Sequence, residues 1–493
     1  MTIRDLALND DIVVDGNYLD ITVDSICTNT EDALKKAGSG MLFVCIKGSK
    51  YDTHNDIGLL VNAGICNIIV QENTVIWEMP ENINIMYSRN TRKTLAVAAK
   101  LYYECPDKKL KIIGITGTKG KTTVSYMIEC ALQREGKNCA IIGTNGIIYN
   151  GNTYECDNST PSPLEYYAHL KKMTDSGVEY VIAEITSQSL KQYRTYGTTF
   201  DIAVFTNLYP DHIGKYEHRD MNEYKACKGM LFQWCRMAVI NDDDENSNYF
   251  KDICRVSGKK YISFSAKNKK ADYFCRKIKT KCTFSAFVLK KQKTVIPLPG
   301  RFNVYNALCA MTVLCELGVP VEKTAKAIAN VTVPGRCERV DNPAGVNIII
   351  DYAHNKESLE NILAALRSNC RGKLYCVFGA GGDRSALRRT GMGEAACRYA
   401  DYSIITSDNP RSEPLQKISC DIVKGFGESR SNYILISDRK SAIHHALDIA
   451  KKGDTILLAG KGTQNYQEIN GVKYPFDERD IVSQYYKSFF NQR

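Results

Sequence analysis

The sequence predicts an α/β protein of about three domains, with parallel sheets covered by helices on both faces. The first observation is length: 493 residues, at roughly 150 per domain, hold about three domains. The second is alternation. Apolar strand-like runs separated by helical stretches start at "KLKIIGITG" and start again after "VPGRCERV". The third is "GITGTKGKTT", Gly114 to Thr123, a glycine-rich loop between a strand-like run and a helical one. Composition agrees, since 44% hydrophobic and 24% charged residues suit a soluble chain with full cores.

Each element follows from local pattern. The first hundred residues carry short β-rich runs, "MLFVCI" and "NIIVQ", with turn residues between them. "TRKTLAVAAKLYYEC" has the spacing of an amphipathic helix, stopped by Pro106 and Asp107. After "KLKIIGITG" come "CAIIGT", "EYVIAEI", "DIAVFTNL" and "MAVIND", as in a parallel sheet. "KKQKTVIPLPG" ends that pattern with a β segment, and "NVYNALCAMTVLCELG" reads as a helix closed by Gly318. The second series runs "VNIIIDYAH", "LYCVFGAGGDR", "DYSIITSDNPR", "YILISD" and "DTILLAGKG". Boundaries near 106 and 337 give expected domains of 1–105, 106–337 and 338–493.

The net charge of +10 is spread along the chain, with no basic block or aromatic-interleaved arm. That pattern speaks against nucleic acid and suits anionic substrates. No apolar run reaches the ~18 residues of a membrane span. The start, "MTIRDLALNDD", lacks a signal-peptide core, so a cytoplasmic protein is expected. The 19 cysteines include no C-x-x-C pair, and several sit in apolar runs. They are expected to be reduced core residues rather than a zinc site or disulfide framework.

A loop of this kind binds phosphate because backbone N–H groups and a helix N-terminus point at the anion. Gly117, Thr118, Gly120, Lys121, Thr122 and Thr123 form the candidate nucleotide site. Lys121 reaches the β/γ-phosphates, and the Thr122 hydroxyl holds Mg²⁺. Ile115 stands where the strict G-x-x-x-x-G-K-[ST] pattern has its first glycine. A guanine-specific N-K-x-D motif is missing too, because "NKKAD" has Ala271 in place of the aspartate. Two later strand ends add polar groups: "VIAEITS" delivers Glu184, and "VFTNLYPDHIG" delivers Asp211 and His212. Carboxylate and imidazole beside a triphosphate suit a divalent metal.

Together "TGTKGKTT", "NSTP", "AEITS", "FTNLYPDH", "YKACKGMLF", "GRFNVYNAL", "VPGRCERV", "IDYAH", "GGDR", "SDNPR" and "LAGKG" form an ordered set over nearly the whole chain. The chain resembles the Mur ligases, most closely the MurE type, the UDP-N-acetylmuramoyl-tripeptide synthetases. The resemblance implies an N-terminal domain for the UDP part of the acceptor, a central P-loop domain for ATP, and a C-terminal dinucleotide-fold-like domain for the incoming amino acid. It implies an ATP-dependent, Mg²⁺-requiring amide ligase in peptidoglycan precursor synthesis. Such a ligase adds an amino acid to UDP-MurNAc-L-Ala-D-Glu through an acyl phosphate. Its partners are small molecules, and a monomer is expected.

Carried over by motif, Gly117, Lys121 and Thr122 match phosphate and Mg²⁺ positions, and Glu184 and His212 match metal ligands. Lys228 matches a lysine that the family carbamylates. Asn303 and Arg336 match nucleotide contacts, and Asp351 one from the C-terminal domain. Asn158, Ser159, Thr160, Thr186, Gln192 and Arg194 fit acceptor positions. Arg389, Asp408, Asn409, Pro410, Arg411, Gly460 and Gln464 fit the amino-acid site. "DNPR" is the form associated with meso-diaminopimelate, because Arg411 can pair with the extra carboxylate that lysine lacks.

Four places depart from the family pattern. "DSR" reads Thr28-Asn29-Thr30, "SSH" reads "TSQ" with Gln188, "DYAHTP" reads "DYAHNK", and "GKGHE" reads "GKGTQ". In the last, an uncharged Gln464 replaces the glutamate expected to hold the distal ammonium of diaminopimelate. These departures leave open a paralogue acting on lysine or on another acceptor. A folylpolyglutamate synthetase fits less well, given "DNPR" and the long N-terminal region. A nucleotide-dependent module without catalysis fits poorly, because Lys121, Thr122, Glu184, His212 and Lys228 are all present.

Overall fold

A computed structural model describes residues 1–9, 12–15, 19–49, 51–76, 83–214, 217–368, 370–383, 386–427 and 432–491. It divides into two compact units, one of residues 1–125 and 132–264, the other of 126–131 and 265–493.

The first unit holds two sheets. Strands β1 (Ile12–Asp15), β2 (Ser25–Cys27), β3 (Met41–Val44), β4 (Asn67–Gln71) and β5 (Asn84–Ser88) run in the order β1-β5-β4-β3-β2. Leu42, Val44, Ile69 and Met86 bury one of its faces, and Phe43, Ile68 and Ile85 the other. The second sheet is built from β6 (Lys111–Thr116), β7 (Cys139–Gly143), β8 (Gly146–Tyr149), β9 (Asn152–Tyr154), β10 (Tyr180–Glu184), β11 (Phe200–Phe205), β12 (Cys235–Asn241) and β13 (Lys260–Ser265). Its order is β13-β12-β11-β6-β10-β7-β8-β9. The strands from β13 to β7 are parallel, while β8 and β9 form an antiparallel edge.

β6 lies between β10 and β11, the strands that carry Glu184 and Thr206 at their C-terminal ends. Its run of Ile112, Ile113 and Ile115 is fully buried, as a strand covered on both faces requires. Each such side chain contributes about 1.5–3 kcal/mol of burial. Ligands of open α/β sheets sit at the C-terminal strand ends, where strand order switches about a central strand. The phosphate loop leaves β6 at that place.

In the second unit, β14 (Tyr273–Thr280), β15 (Ser285–Leu289) and β16 (Gln292–Ile296) form an antiparallel meander. A further sheet holds β17 (Glu338–Val340), β18 (Asn347–Asp351), β19 (Leu374–Phe378), β20 (Tyr402–Ile405), β21 (Tyr433–Leu435) and β22 (Thr455–Ala459), in the order β17-β18-β22-β19-β20-β21. All but β17 are parallel. Strands β23 (Tyr466–Ile469) and β24 (Val472–Pro475) make a separate hairpin. Asp351, "GAGGD", "SDNPR" and "GKGTQ" therefore all emerge at or just beyond C-terminal ends, of β18, β19, β20 and β22.

Many of the cysteines are buried, as their apolar settings implied. The helix expected to run to Pro106 ends earlier, at Tyr102. Glu104 and Cys105 turn left-handed, at φ 63° and 51°, and Pro106 starts a short 3-10 turn. The residue before a proline is sterically kept out of the helical region, which moves the break upstream.

Candidate active site

The phosphate loop is tied to the end of β11. Lys119 N donates to Asn207 Oδ1 at 2.8 Å, and Thr206 Oγ1 and Asn207 Nδ2 both donate to Lys119 O. Gly117 has φ +147°, and a Cβ there would lie 1.9 Å from Thr206 Oγ1, so only glycine lets the two strand ends approach. Gly120, also at positive φ, leads into the helix Lys121–Arg134. Two lysine amino groups donate to the Gly117 carbonyl, Lys121 Nζ at 2.8 Å and Lys228 Nζ at 3.0 Å. Thr118, Thr122 and Thr123 are buried. A helix N-terminus with the Lys121 ammonium at its mouth is the electrostatic arrangement that an oligophosphate requires.

Glu184, at the end of β10, is buried. Its Oε1 accepts from the Thr122 hydroxyl and from Thr144 N, each at 2.9 Å, and its Oε2 accepts from Thr144 Oγ1 at 3.1 Å. Among the described residues it forms no salt bridge. A buried carboxylate held only by neutral donors, with a threonine oxygen beside it, fits a hard divalent cation.

Lys228 sits on the helix Met221–Gln233, which Asp220 caps. It is almost fully buried, with Nζ 4.4 Å from the centre of the Tyr224 ring. Burial, reinforced by the nearby Lys121, pushes its pKa well below the ordinary lysine value and favours the neutral amine.

His212 is placed differently. It adopts φ 56°, and its half-exposed ring lies 3.1 Å from Glu217 Oε1. Among the described residues no three His, Cys, Asp or Glu side chains cluster closely enough to hold a metal. Asp211 pairs with Lys119 at 3.1 Å.

Five of the six expected acceptor residues join one hydrogen-bonded group with Thr144 and Glu184. Ser159 Oγ lies 2.9 Å from Thr144 Oγ1, and Thr160 Oγ1 donates to Glu184 O at 2.8 Å. Thr186 N donates to Thr160 Oγ1, and the Thr186 side chain caps the helix Ser187–Lys191. Arg194 donates to Thr160 O at 2.7 Å and to Gln192 Oε1. No carboxylate pairs with the Arg194 guanidinium among the described residues, and burial depresses its pKa. Asn158 is exposed on the same loop.

In the second unit, Asn303 donates to Pro299 O at 2.8 Å. Asp351 accepts from Cys337 N and Ala353 N, and burial raises its pKa against the pull of Arg336. Arg336 stacks 4.7 Å over the Tyr352 ring. Arg389 is buried and committed to acidic partners: Nη1 donates to Glu413 at 2.8 Å and to Asp421 at 3.2 Å. Its charge is thus already met by Glu413 and Asp421. Arg411, at φ 52°, follows Pro410 and is more accessible, donating to Gly382 O at 2.8 Å and to Glu468 Oε2 at 3.2 Å. Asn409 Nδ2 donates to Gln464 Oε1 at 3.0 Å. A Cβ on Gly460 would lie 2.5 Å from Asp408 Oδ2.

Three side chains that build these sites escaped the sequence reading. Thr144 holds Glu184, and its only signal was a place after the strand "CAIIGT". His218 is buried and its Nε2 lies 2.9 Å from Ser187 Oγ, joining the acceptor loop to the segment that carries His212. Lys461, inside the quoted "LAGKG", is fully buried and donates to Asn409 Oδ1 at 2.6 Å and to Tyr466 O at 2.8 Å.

Comparison with known proteins agrees with this geometry. Models of the Mur ligase middle domain and of the Mur ligase glutamate ligase domain match residues 115–314 and 335–462. A Clostridium perfringens protein named UDP-N-acetylmuramoyl-L-alanyl-D-glutamate--2,6-diaminopimelate ligase is 37% identical, over 91% of this chain and 92% of the relative. The protein of that name from Clostridioides difficile is 33% identical, over 98% of this chain and 99% of its own. A solved structure of a ligase with that name aligns at a TM-score of 0.70 and 26% identity, over 99% of both chains. MurF from Acinetobacter baumannii shares the fold at a TM-score of 0.62 and 17% identity, over 99% of this chain and 98% of that one. With a phosphate loop, a buried Glu184–Thr122 pair and relatives of this identity over nearly its full length, the chain belongs to the Mur ligase family.

Proposed function

We propose that the protein joins an amine of meso-diaminopimelate to a glutamate carboxylate of UDP-MurNAc-L-Ala-D-Glu at the expense of ATP. The observation that carries this reading is the phosphate loop of a chain 37% identical to a named diaminopimelate ligase, with Lys121 and Lys228 converging on Gly117.

A carboxylate does not react with an amine at neutral pH, because oxide would have to leave. Transfer of the ATP γ-phosphoryl group to a carboxylate oxygen gives an acyl phosphate and ADP. Attack by the amine then forms the C–N bond, the nitrogen loses a proton, and phosphate leaves. Lys121 and the loop N–H groups hold the triphosphate. Thr122 and Glu184 are the groups that would hold Mg²⁺, which supplies charge neutralisation when bound. Thr160, Thr186, Gln192 and Arg194 orient the acceptor, and Asn303, Arg336 and Asp351 serve the nucleotide. The region 408–411 with Gly460 and Gln464 receives the amino acid. In this reading residues 1–105, 106–337 and 338–493 serve acceptor, nucleotide and amino acid in turn.

A neutral Lys228 amine is the form that attacks carbon dioxide; the new C–N bond forms, the nitrogen gives up a proton to water, and an anionic carbamate takes the place of the amine. Lys228→Ala should then be nearly inactive and partly restored by added short carboxylates; full activity in that variant would dismiss the carbamate. No helix of the described residues is long and apolar enough to cross a membrane. In this reading the enzyme is cytoplasmic and monomeric and acts on small-molecule substrates.

The direct test offers the acceptor, ATP and Mg²⁺ with diaminopimelate or lysine separately, and weighs the products. The expected result is a diaminopimelate tripeptide, with ADP released only when all three substrates are present. A lysine product formed equally well would favour the paralogue reading instead.

A further inference from the structure

Gln464 leaves the amino-acid pocket without the carboxylate expected at that position. Its amide is already engaged, since Oε1 accepts from Asn409 Nδ2 at 3.0 Å. Four residues on, β23 brings Glu468 to the same loop. Glu468 N donates to Asn409 Oδ1 at 3.0 Å, and Arg411 N donates to Glu468 O at 3.1 Å. A parallel bridge joins Arg411 to Ile469 and fixes the register. These backbone contacts set the Glu468 carboxylate beside the Arg411 guanidinium, with Oε2 3.2 Å from Nε. Both side chains are a little under one-third exposed, at 29% and 28%, so the pair is open to a ligand. Among the described residues Arg411 Nη2 has no hydrogen-bond partner, and neither has Glu468 Oε1. The Arg411 backbone is held left-handed at φ 52°, a conformation that costs a non-glycine residue energy and that the β23 contacts maintain.

An adjacent guanidinium and carboxylate, each with unused hydrogen-bonding capacity, match a zwitterionic carbon bearing one carboxylate and one ammonium. The distal centre of diaminopimelate is such a carbon; lysine carries the ammonium alone. We propose that Glu468 supplies the carboxylate that Gln464 does not, taking the distal ammonium while Arg411 takes the distal carboxylate. This rests on the reading of the protein as a diaminopimelate ligase. The Arg411–Glu468 contact is then the resting form of the pair, exchanged on binding for a ring of four alternating charges.

The test compares meso-diaminopimelate with 2-aminopimelate, which keeps the distal carboxylate and lacks the distal ammonium. Wild-type enzyme should show the lower KM for diaminopimelate. Glu468→Gln should raise that KM about tenfold or more, the scale of a lost charge-assisted hydrogen bond, and collapse the preference between the two amino acids. Gln464→Glu in the Glu468→Gln background should restore much of the preference by returning a carboxylate to the pocket. If Glu468 only braces Arg411, both KM values rise together and their ratio holds, which overturns the proposal. An unchanged diaminopimelate KM overturns it as well. A wild-type enzyme that does not ligate diaminopimelate at all refutes the underlying function instead, so the two failures are told apart.

Discussion

The fold alters the proton affinity of Lys461. It is fully buried, with Asp408 Oδ1 at 3.4 Å. Burial lowers its pKa to about 8, opposed by Asp408 and Glu478 and assisted by Arg439. In the unfolded chain the value returns to about 10.4. Below about 8 both states are protonated and the burial penalty is constant; between about 8 and 10.4 only the unfolded chain keeps the proton. The free energy of unfolding contributed by this group therefore rises with pH across that window. Lys461→Met should remove the rise: the stability difference between wild type and variant should shift toward wild type by about 3 kcal/mol from pH 7 to pH 10.4. Urea unfolding at the two pH values measures it, and equal differences would show that the ammonium is not buried as described. The same side chain grips Asn409, so amino-acid KM should climb above pH 8 in wild type.

At the level of elements, one departure from the family pattern has a simple physical content. "DYAHNK" places Asn355 at the N-cap of the helix Lys356–Arg367, where its Oδ1 accepts from Ser358 N at 3.0 Å and Ser358 Oγ completes a capping box. Asparagine and threonine both serve that role, so the change preserves the cap. Asn355→Ala should cost about 1 kcal/mol and lower the melting temperature by a few degrees. An unaltered melting temperature would show that the cap contributes nothing. Some elements were readable from local chemistry and others needed a signal that went unused. The buried runs of β6, β10 and β11 stood out because parallel strands covered on both faces are apolar throughout. The β8–β9 hairpin was missed although Asn150-Gly151 between them is an Asn-Gly turn, with both residues at positive φ. The end of the helix before Pro106 was misplaced because the proline acts on the residues before it, so the break falls at Tyr102 rather than at the proline.

Across the whole molecule, legibility follows sequence distance. The phosphate loop and Glu184 declare themselves because contiguous residues carry them. The Arg411–Glu468 pair joins side chains 57 residues apart, and the Arg389–Glu413 pair joins two that sit 24 apart. No local pattern reports that an arginine is already paired, as Arg389 is with Glu413 and Asp421. Net charge is the property that needs no contact at all. The chain carries +10, and the proposed acceptor and nucleotide are both polyanions, whereas diaminopimelate is neutral overall at pH 7. A positive protein raises the encounter rate of anions, and salt screens that attraction over a Debye length of about 10 Å at 0.1 M. Raising KCl from 50 to 500 mM should therefore reduce kcat/KM for the UDP-linked acceptor by about three- to tenfold. The value for diaminopimelate should change far less, since long-range attraction acts on net charge and the short Arg411 and Glu468 contacts are weakly screened. Steady-state kinetics with one substrate varied at a time separates the two. Equal salt sensitivity would mean that the effect lies in the chemical step or in protein stability, and that the +10 charge does not steer the acceptor to its site.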